Sequence, residues 1–418
     1  MLSLLLLGLA GCGGPKRTGE TIDIITDEGK KTVPQVKLVT DVYWDQTNLN
    51  SVLRTVPGNG REFHVSFEPL PRDEPERDNY LTRMRTEMMA GKGPDLFILD
   101  LEYGNNGISA NGDFLEPVFP FPDKVMDNRV LLPLDEYMET ALFTDFSKFT
   151  PELMEAGRNG EGQQIIPLTY SFDVGIFDAG EFDIPAESVS TREDMLNSDE
   201  LALRYFASSA RLPLDFFGTP YEGESLSFTE EELLAEAMLW REESEKFDAG
   251  EFKSVIDRDG LVCGELSGGV LGIGHLENSI IVPARNRDGG VTACVKIAAA
   301  VNRNSCYPEQ AFSIIDKLSS ESVMREQTLY GWSGSIVANP ELGSPDKPME
   351  WFAMTGETYK VYREALDKVT AYRFPTRLEQ AVSELRISCV RGELADDGKL
   401  SAAVHKAYTT MQMMLAES

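Results

Sequence analysis

The chain has 418 residues, with 69 acidic against 39 basic side chains and a formal net charge of −30. That surface lacks the basic footprint phosphate binding needs, which excludes nucleic acid as a natural partner. An apolar fraction of 42% separates the chain from disordered acidic tails, and its length calls for two or three domains.

The first element is a leucine-rich apolar run, Met1 to Ala10. A membrane span needs about 20 apolar residues, so this run is too short to cross a bilayer and has the length of a signal-peptide core. It leads into Leu9-Ala10-Gly11-Cys12, which resembles the lipobox of bacterial lipoproteins. The resemblance implies a signal peptide over 1–11 and acylation (palmitate) of Cys12. Acyl chains contribute about 0.8 kcal/mol per buried CH₂, enough for two or more to hold a domain at a membrane surface. The polar, Gly- and Thr-rich stretch from Gly13 to about Pro34 reads as a tether, so 12–35 is expected to be a lipidated linker.

"VKLVTDVYW" (36–44) and "FHVSFEPL" (63–70) read as strands, with a short helix expected in "NLNSVLRTV". Leu81, Met84, Met88 and Met89 recur at helical spacing, Gly91 and Gly93 end that helix, and "PDLFILD" (94–100) follows as a strand. This order predicts an α/β domain with a mainly parallel sheet. "GQQIIPLTYSFDVGIFD" (162–178) is β-prone and long enough to pass from one domain to another. The charged helix after Ser227 opens with a capping box, Thr229 with Glu232. "VTACVKIAAAVN" (291–302) reads as a strand, the next helix starts at Pro308, and the C-terminal region reads as helices over about 355–370, 377–391 and 401–416.

Several phrases converge on one family. "MMAGKGPDLFILD", "LLPLDEYM" and "IIPLTYSFDVGIF", together with the lipobox, resemble the extracellular solute-binding proteins of ABC importers, of the large sugar-binding type. Met89, Ala90, Gly91, Pro94, Asp95 and Leu96 match one family phrase. Gln163 to Pro167 stand at a second, with Gln where an aromatic residue is usual. Ala299 to Asn302, Ser305, Glu309, Ala311, Ile314 and Leu318 match a third. The resemblance implies a two-lobed, periplasmic-binding-protein-like α/β fold with crossing hinge strands. Its first lobe would be 36–170 plus 293–338, and its second, helix-rich lobe 171–292 plus 339–418. Ligand would bind between the lobes, consistent with the rule that ligands sit beyond the carboxyl ends of sheet strands.

Sugars bind through aromatic faces and hydrogen-bonding carboxylates and amides. Tyr43, Trp44 and Asp45 end the first strand, and Asp100 ends another, where it serves equally well as a helix cap. Tyr170 and Phe172 lie on the expected crossover strand, with core packing as the competing reading. Glu277 and Asn278 follow a Gly-rich stretch, and Trp332 is the aromatic of a Gly/Ser loop. Trp240 sits at an apolar helical position and reads as core. No C-x-x-C is present and the three histidines are scattered, so neither a metal nor another cofactor is expected. With Cys12 acylated, Cys263, Cys294, Cys306 and Cys389 remain either as buried thiols or as two disulfides.

The expected function is capture of a small polar solute, a carbohydrate or oligosaccharide, by a monomer lipid-anchored on the extracytoplasmic face of the cell membrane and delivering to permease subunits. No catalytic residues are expected, since neither G-x-S-x-G nor H-E-x-x-H occurs. The alternatives are a lipid-anchored glycan hydrolase, which needs two placed carboxylates, and a partner-docking sensor on the same fold.

Overall fold

Strands β1 (Thr21–Thr26) and β2 (Gly29–Thr40) open the described part of the chain, followed by α1 (Gln46–Leu53), β3 (His64–Pro69), α2 (Glu74–Met89) and β4 (Leu96–Asp100). The computed structural model describes residues 19–27, 29–41, 46–71, 73–101, 115–184, 189–209, 213–256, 261–266, 278–326, 335–349 and 356–417. Short helices α3 (Pro122–Asp127), α4 (Asp135–Glu139) and α5 (Pro151–Ala156) precede the small hairpin β5 (Arg158–Asn159) and β6 (Gly162–Gln163). Then come β7 (Ile165–Ser171) and β8 (Asp173–Asp178). Helices α6 (Arg192–Leu196) and α7 (Leu201–Ser209), hairpin β9 (Tyr221–Glu222) and β10 (Ser225–Leu226), and helices α8 (Glu230–Asp248) and α9 (Lys253–Ile256) follow. Strands β11 (Leu261–Glu265), β12 (Ser279–Pro283) and β13 (Val291–Val301) come next. The last elements are α10 (Pro308–Leu318), α11 (Glu321–Met324), β14 (Ile336–Val337), α12 (Gly356–Leu366), β15 (Val369–Arg373), α13 (Leu378–Val390) and α14 (Asp397–Ala416).

The main sheet runs β1-β2-β4-β13-β7-β14, with β3 also on β2 and β15 also on β13. Strands β2, β3 and β4 are parallel, as the alternating strand and helix order demands, but β13 runs antiparallel to β4 and β7, so the sheet is mixed and not mainly parallel as expected. β13 is buried along its whole length, which its near-continuous Val/Ala/Ile sequence permits. Its first residues pair with β15 and its last with β4. β7 runs almost directly into β8, the centre of a separate three-stranded sheet, β11-β8-β12. One chain segment therefore serves both sheets.

Among the described residues, three apolar clusters form the core. The largest packs around the main sheet, with Leu38, Phe97, Ile166 and Val301 at its centre. A second joins α8, α13 and α14 through Leu233, Trp240, Leu385 and Met411. A third covers the small sheet, with Phe177, Phe206 and Val282 against α6 and α7. Trp240 is buried, as its helical position requires.

Two local expectations are corrected. Thr21–Thr26 does not belong to a loose tether but pairs with Gly29–Pro34 of β2. Ile22 and Ile24 alternate with polar residues there, and Asp23 takes an ion pair from Lys30 at 2.6 Å and a hydroxyl bond from Thr32 at 2.6 Å. High polarity hid a period-two strand. Likewise Val369 and Thr370, expected at the end of a helix, open a strand, Val369–Arg373, that runs parallel to β13. The expected capping box is present: the Thr229 hydroxyl accepts from the Glu232 N–H at 3.1 Å, and Glu232 accepts from the Thr229 N–H at 2.7 Å. Cys263, Cys294, Cys306 and Cys389 are not joined in disulfides.

The family-like phrases meet in space. Asp95 is buried; its Oδ2 accepts the Lys37 N–H of β2 at 2.9 Å and its Oδ1 accepts the Ser305 hydroxyl at 2.7 Å. Asn302, at the end of β13, donates from Nδ2 to the carbonyls of Lys92 and Pro94 at 2.9 and 2.8 Å. These residues lock the entry of β4 to β2 on one side and to the exit of β13 on the other.

Candidate functional site

β2 and β4 are adjacent and parallel, so their carboxyl ends open on the same edge of the main sheet. In open α/β sheets this edge is where ligands bind. Asp41 follows β2 and Asp100 closes β4. The Asp41 side chain turns back across the edge, and its Oδ1 accepts the Asp100 N–H at 2.6 Å. Arg77 of α2, 4% exposed, lies with one terminal nitrogen 3.7 Å from Asp41 Oδ2. Its Nε donates to the Glu116 carbonyl at 2.6 Å and another terminal nitrogen to the Pro71 carbonyl at 3.3 Å. One guanidinium thus draws together the ends of β2 and β3 and the chain at Glu116.

Burial pushes the Asp41 carboxyl up to about 7, and the neighbouring Asp100 carboxylate adds to the rise. The Arg77 charge and the Asp100 N–H work in the opposite direction without cancelling it. Asp100 itself is half-buried. Leu101 continues the edge, its N–H bonded to the Lys296 carbonyl of β13 at 2.6 Å, and Lys296 is a fully buried lysine at an irregularity in the β13–β7 register.

The other predicted site residues are distributed differently. Tyr170 is buried on β7 with its ring edge-on to Tyr372 at 5.2 Å, and burial holds its hydroxyl well above the ordinary tyrosine range. Phe172, between β7 and β8, is equally buried. Asn278 is exposed, and its carbonyl accepts the Ala179 N–H at 2.7 Å. Tyr43, Trp44, Asp45, Glu277, Trp332 and Cys12 lie outside the described residues. The structure therefore brings Asp100 to the sheet edge and packs Tyr170 and Phe172 into the crossing.

Sequence reasoning missed Asp41 and Arg77. The signal that existed was a charged residue directly after an apolar strand, repeated in "LVTD" and "LFILD". It also missed a polar interior beside the crossing strands. There Arg373 donates from Nε to Asp215 Oδ1 at 2.7 Å and from a terminal nitrogen to Glu379, while the Cys294 thiol donates to Asp215 Oδ1 at 3.1 Å. Next to it is a cavity of about 40 Å³ whose lining includes Asp173, Arg192, Asp215, Glu236 and Trp240. Arg192 pairs with both Glu236 oxygens at 2.6 and 2.7 Å and stacks over Phe216 at 4.5 Å. That volume suits a few ordered water molecules. Among the described residues no group of three or more His, Cys, Asp or Glu side chains is arranged to hold a metal ion. Nor is any described helix long and apolar enough to cross a membrane.

No protein-family model matches the sequence, and no curated protein matches it either. Solved structures do match over nearly the whole chain. The cyclic alpha-maltosyl-1,6-maltose binding protein of Arthrobacter globiformis is 16% identical, with a TM-score of 0.53, covering 91% of this chain and 99% of that one. The galacto-N-biose-/lacto-N-biose I-binding protein of the Bifidobacterium longum ABC transporter is 12% identical, with a TM-score of 0.57, covering 92% and 98%. A family 1 extracellular solute-binding protein of Alicyclobacillus acidocaldarius is 14% identical, with a TM-score of 0.53, covering 91% and 99%. At these identities the likeness is one of fold: the chain has the two-domain α/β architecture of periplasmic-binding-protein type.

Proposed function

We propose that this chain is the solute-binding component of an ABC importer and that it captures a neutral carbohydrate between its two domains. The observation that carries the reading is the fold likeness over 91% of the chain to proteins described as sugar binders. The edge closed by Asp41 and Arg77 supports it, because it lies where α/β sheets bind ligands and presents the half-buried Asp100 carboxyl as an acceptor for hydroxyl groups. The domains are assigned as 36–170 plus 293–338 and 171–292 plus 339–418, with β7–β8 and β13 as the crossing segments. Ligand contacts from both domains shift an open–closed equilibrium, and no bond is broken. Cys12 carries the lipid anchor on the extracytoplasmic face, and the partners are the importer's permease subunits.

Thermal-shift screening and calorimetry of the purified protein against neutral mono- and oligosaccharides test the ligand class. A sugar that raises the melting temperature and binds stoichiometrically is expected. Stabilisation by peptides or polyamines and by no sugar overturns the carbohydrate reading, and turnover of a glycan replaces it with a hydrolase. Fatty-acid labelling that disappears in Cys12→Ser tests the anchor.

A further inference from the structure

Helices α13 and α14 run antiparallel. Only residues 391–396 join them. The Arg377 N–H before α13 donates to the Pro120 carbonyl, and Lys124 of α3 donates to the Leu415 carbonyl at the end of α14. Their inner sides, with Val382 and Met411, close the second apolar cluster. Between their outer sides lies a groove of about 260 Å³. Its floor is Ala381, Leu385 and Ala407, all buried, and the two alanines let another helix approach closely. Ile387 and Met413, 41% and 56% exposed, extend the apolar surface, each two helical turns beyond a groove residue, Gln380 and Lys406. Glu384 stands on the α13 bank and Lys406 on the α14 bank, both exposed. Among the described residues these two are the groove's only charges, Lys406 enters no ion pair, and Glu384 accepts the Gln380 amide at 3.2 Å. The groove is therefore apolar at its base and neutral overall, on a chain whose net charge of −30 makes most of its surface repel a second copy.

We propose that this groove is a self-docking surface, on which two copies of the chain pack α13 and α14 face to face about a two-fold axis running along the helices. That axis lays α13 of each copy over α14 of the other. Glu384 of each copy then meets Lys406 of the other, and every neighbouring pair of helices is antiparallel, as in an up-and-down four-helix bundle. The alternative two-fold, across the helices, lays the acidic bank on the acidic bank and the basic bank on the basic one, so charge selects the first arrangement. The two-helix face measures roughly 20 by 20 Å, at the low end for a specific interface, which makes the dimer weak and dependent on concentration. This departs from the monomer expected from the sequence, and it does not rest on the sugar-binding reading.

Sedimentation equilibrium tests this on the full chain carrying Cys12→Ser, so that no acyl chain drives association. The protein is followed from about 5 to 500 µM in about 0.15 M salt, where screening over about 8 Å removes distant repulsion and leaves contact pairs in place. The mass should rise from monomer toward dimer with concentration. Glu384→Lys or Lys406→Glu alone sets like charges together at both symmetry-related contacts and should weaken the dimer about tenfold or more. The double exchange, Glu384→Lys with Lys406→Glu, restores opposite charges and should return the affinity to within about threefold of the parent. Both side chains are exposed, so the variants should fold as the parent does, which circular dichroism checks. A chain that stays monomeric at every concentration leaves the groove to a different protein and overturns the proposal. A dimer indifferent to the single reversals, or one that the double exchange fails to restore, overturns it as well.

Discussion

Arg373→Met should be among the most damaging single changes in the helix-rich part of the molecule. Arg373 is 7% exposed and lies between Asp215 and the 3%-exposed Glu379. Its guanidinium meets Asp215 Oδ1 from two nitrogens at 2.7 and 2.6 Å and reaches Glu379 with a third. The far oxygen of Glu379 is held by the Thr376 N–H at 2.9 Å and its hydroxyl at 2.8 Å. Methionine fills the space but leaves two buried carboxylates facing each other. Removing one partner of a buried pair costs about 3–5 kcal/mol. An independent route gives the same size: protonating one orphaned carboxyl at pH 7 from an ordinary value near 4 costs about 4 kcal/mol, at 1.36 kcal/mol per unit. That second route makes the loss pH-dependent. The orphaned carboxyl keeps its proton in the folded variant more readily than in the unfolded chain, so the deficit shrinks by about 1.4 kcal/mol per unit as the pH falls from 7 toward 5. Urea denaturation of parent and variant at pH 7 and pH 5, followed by circular dichroism, reads both quantities. A loss below about 1 kcal/mol at pH 7, or the same loss at both pH values, would refute the assignment of a charge-compensating role to Arg373.

Four further sites probe the scaffold. Asp316 is buried and accepts the N–H groups of Leu142 at 2.7 Å and Phe143 at 3.1 and 3.2 Å, so Asp316→Asn should cost about 1–3 kcal/mol in denaturant melts. Leu142 itself is 84% exposed, and Leu142→Asp should stay within about 0.5 kcal/mol of the parent. A Cβ on Gly157 would lie 1.9 Å from the Ile165 carbonyl oxygen, a backbone atom that cannot step aside, and Gly157→Ala should lower the melting temperature by several degrees, corresponding to about 1–3 kcal/mol. Thr229→Ala removes the cap of α8 and should cost about 1 kcal/mol, with Thr229→Ser restoring most of it.

What could be read in the sequence was whatever repeats at short range. The helix after Thr229 announces itself by a capping box with Glu232 three residues on, and the 291–301 strand by a mostly apolar run broken only by Thr292 and Lys296. β1 was hidden because its half-buried isoleucines alternate with charges that pair across the hairpin. β15 was hidden because it is only five residues long, VTAYR, and sits between two helices. At the site, Asp100 was legible as a carboxylate at a strand end. Asp41 was not, because its meaning lies in an N–H 59 residues away. Arg77 looks like one more charge on a polar helix; only the folded chain shows it to be 4% exposed and turned toward the sheet. Short-range pattern reports elements, while site chemistry is made by residues that the topology brings together.

The family-like phrases mark the scaffold rather than the ligand, and Asp95 lets that be tested. Both its oxygens are engaged within the protein, by the Lys37 N–H and the Ser305 hydroxyl, and the Asn302 amide is spent on two carbonyls. Groups whose hydrogen-bonding capacity is used up in this way have little left for a solute. Within this chain they tie β4 to β2 on one side and to the exit of β13 on the other, a role in the scaffold. Asp95→Asn turns one acceptor into a donor facing a donor, and the burial of Asp95 makes the mismatch cost about 1–3 kcal/mol. Stability should therefore fall while the rank order of ligands found by thermal-shift screening stays the same. A variant with parent-like stability and an altered ligand order would place Asp95 in the binding chemistry and undo the division between scaffold and site.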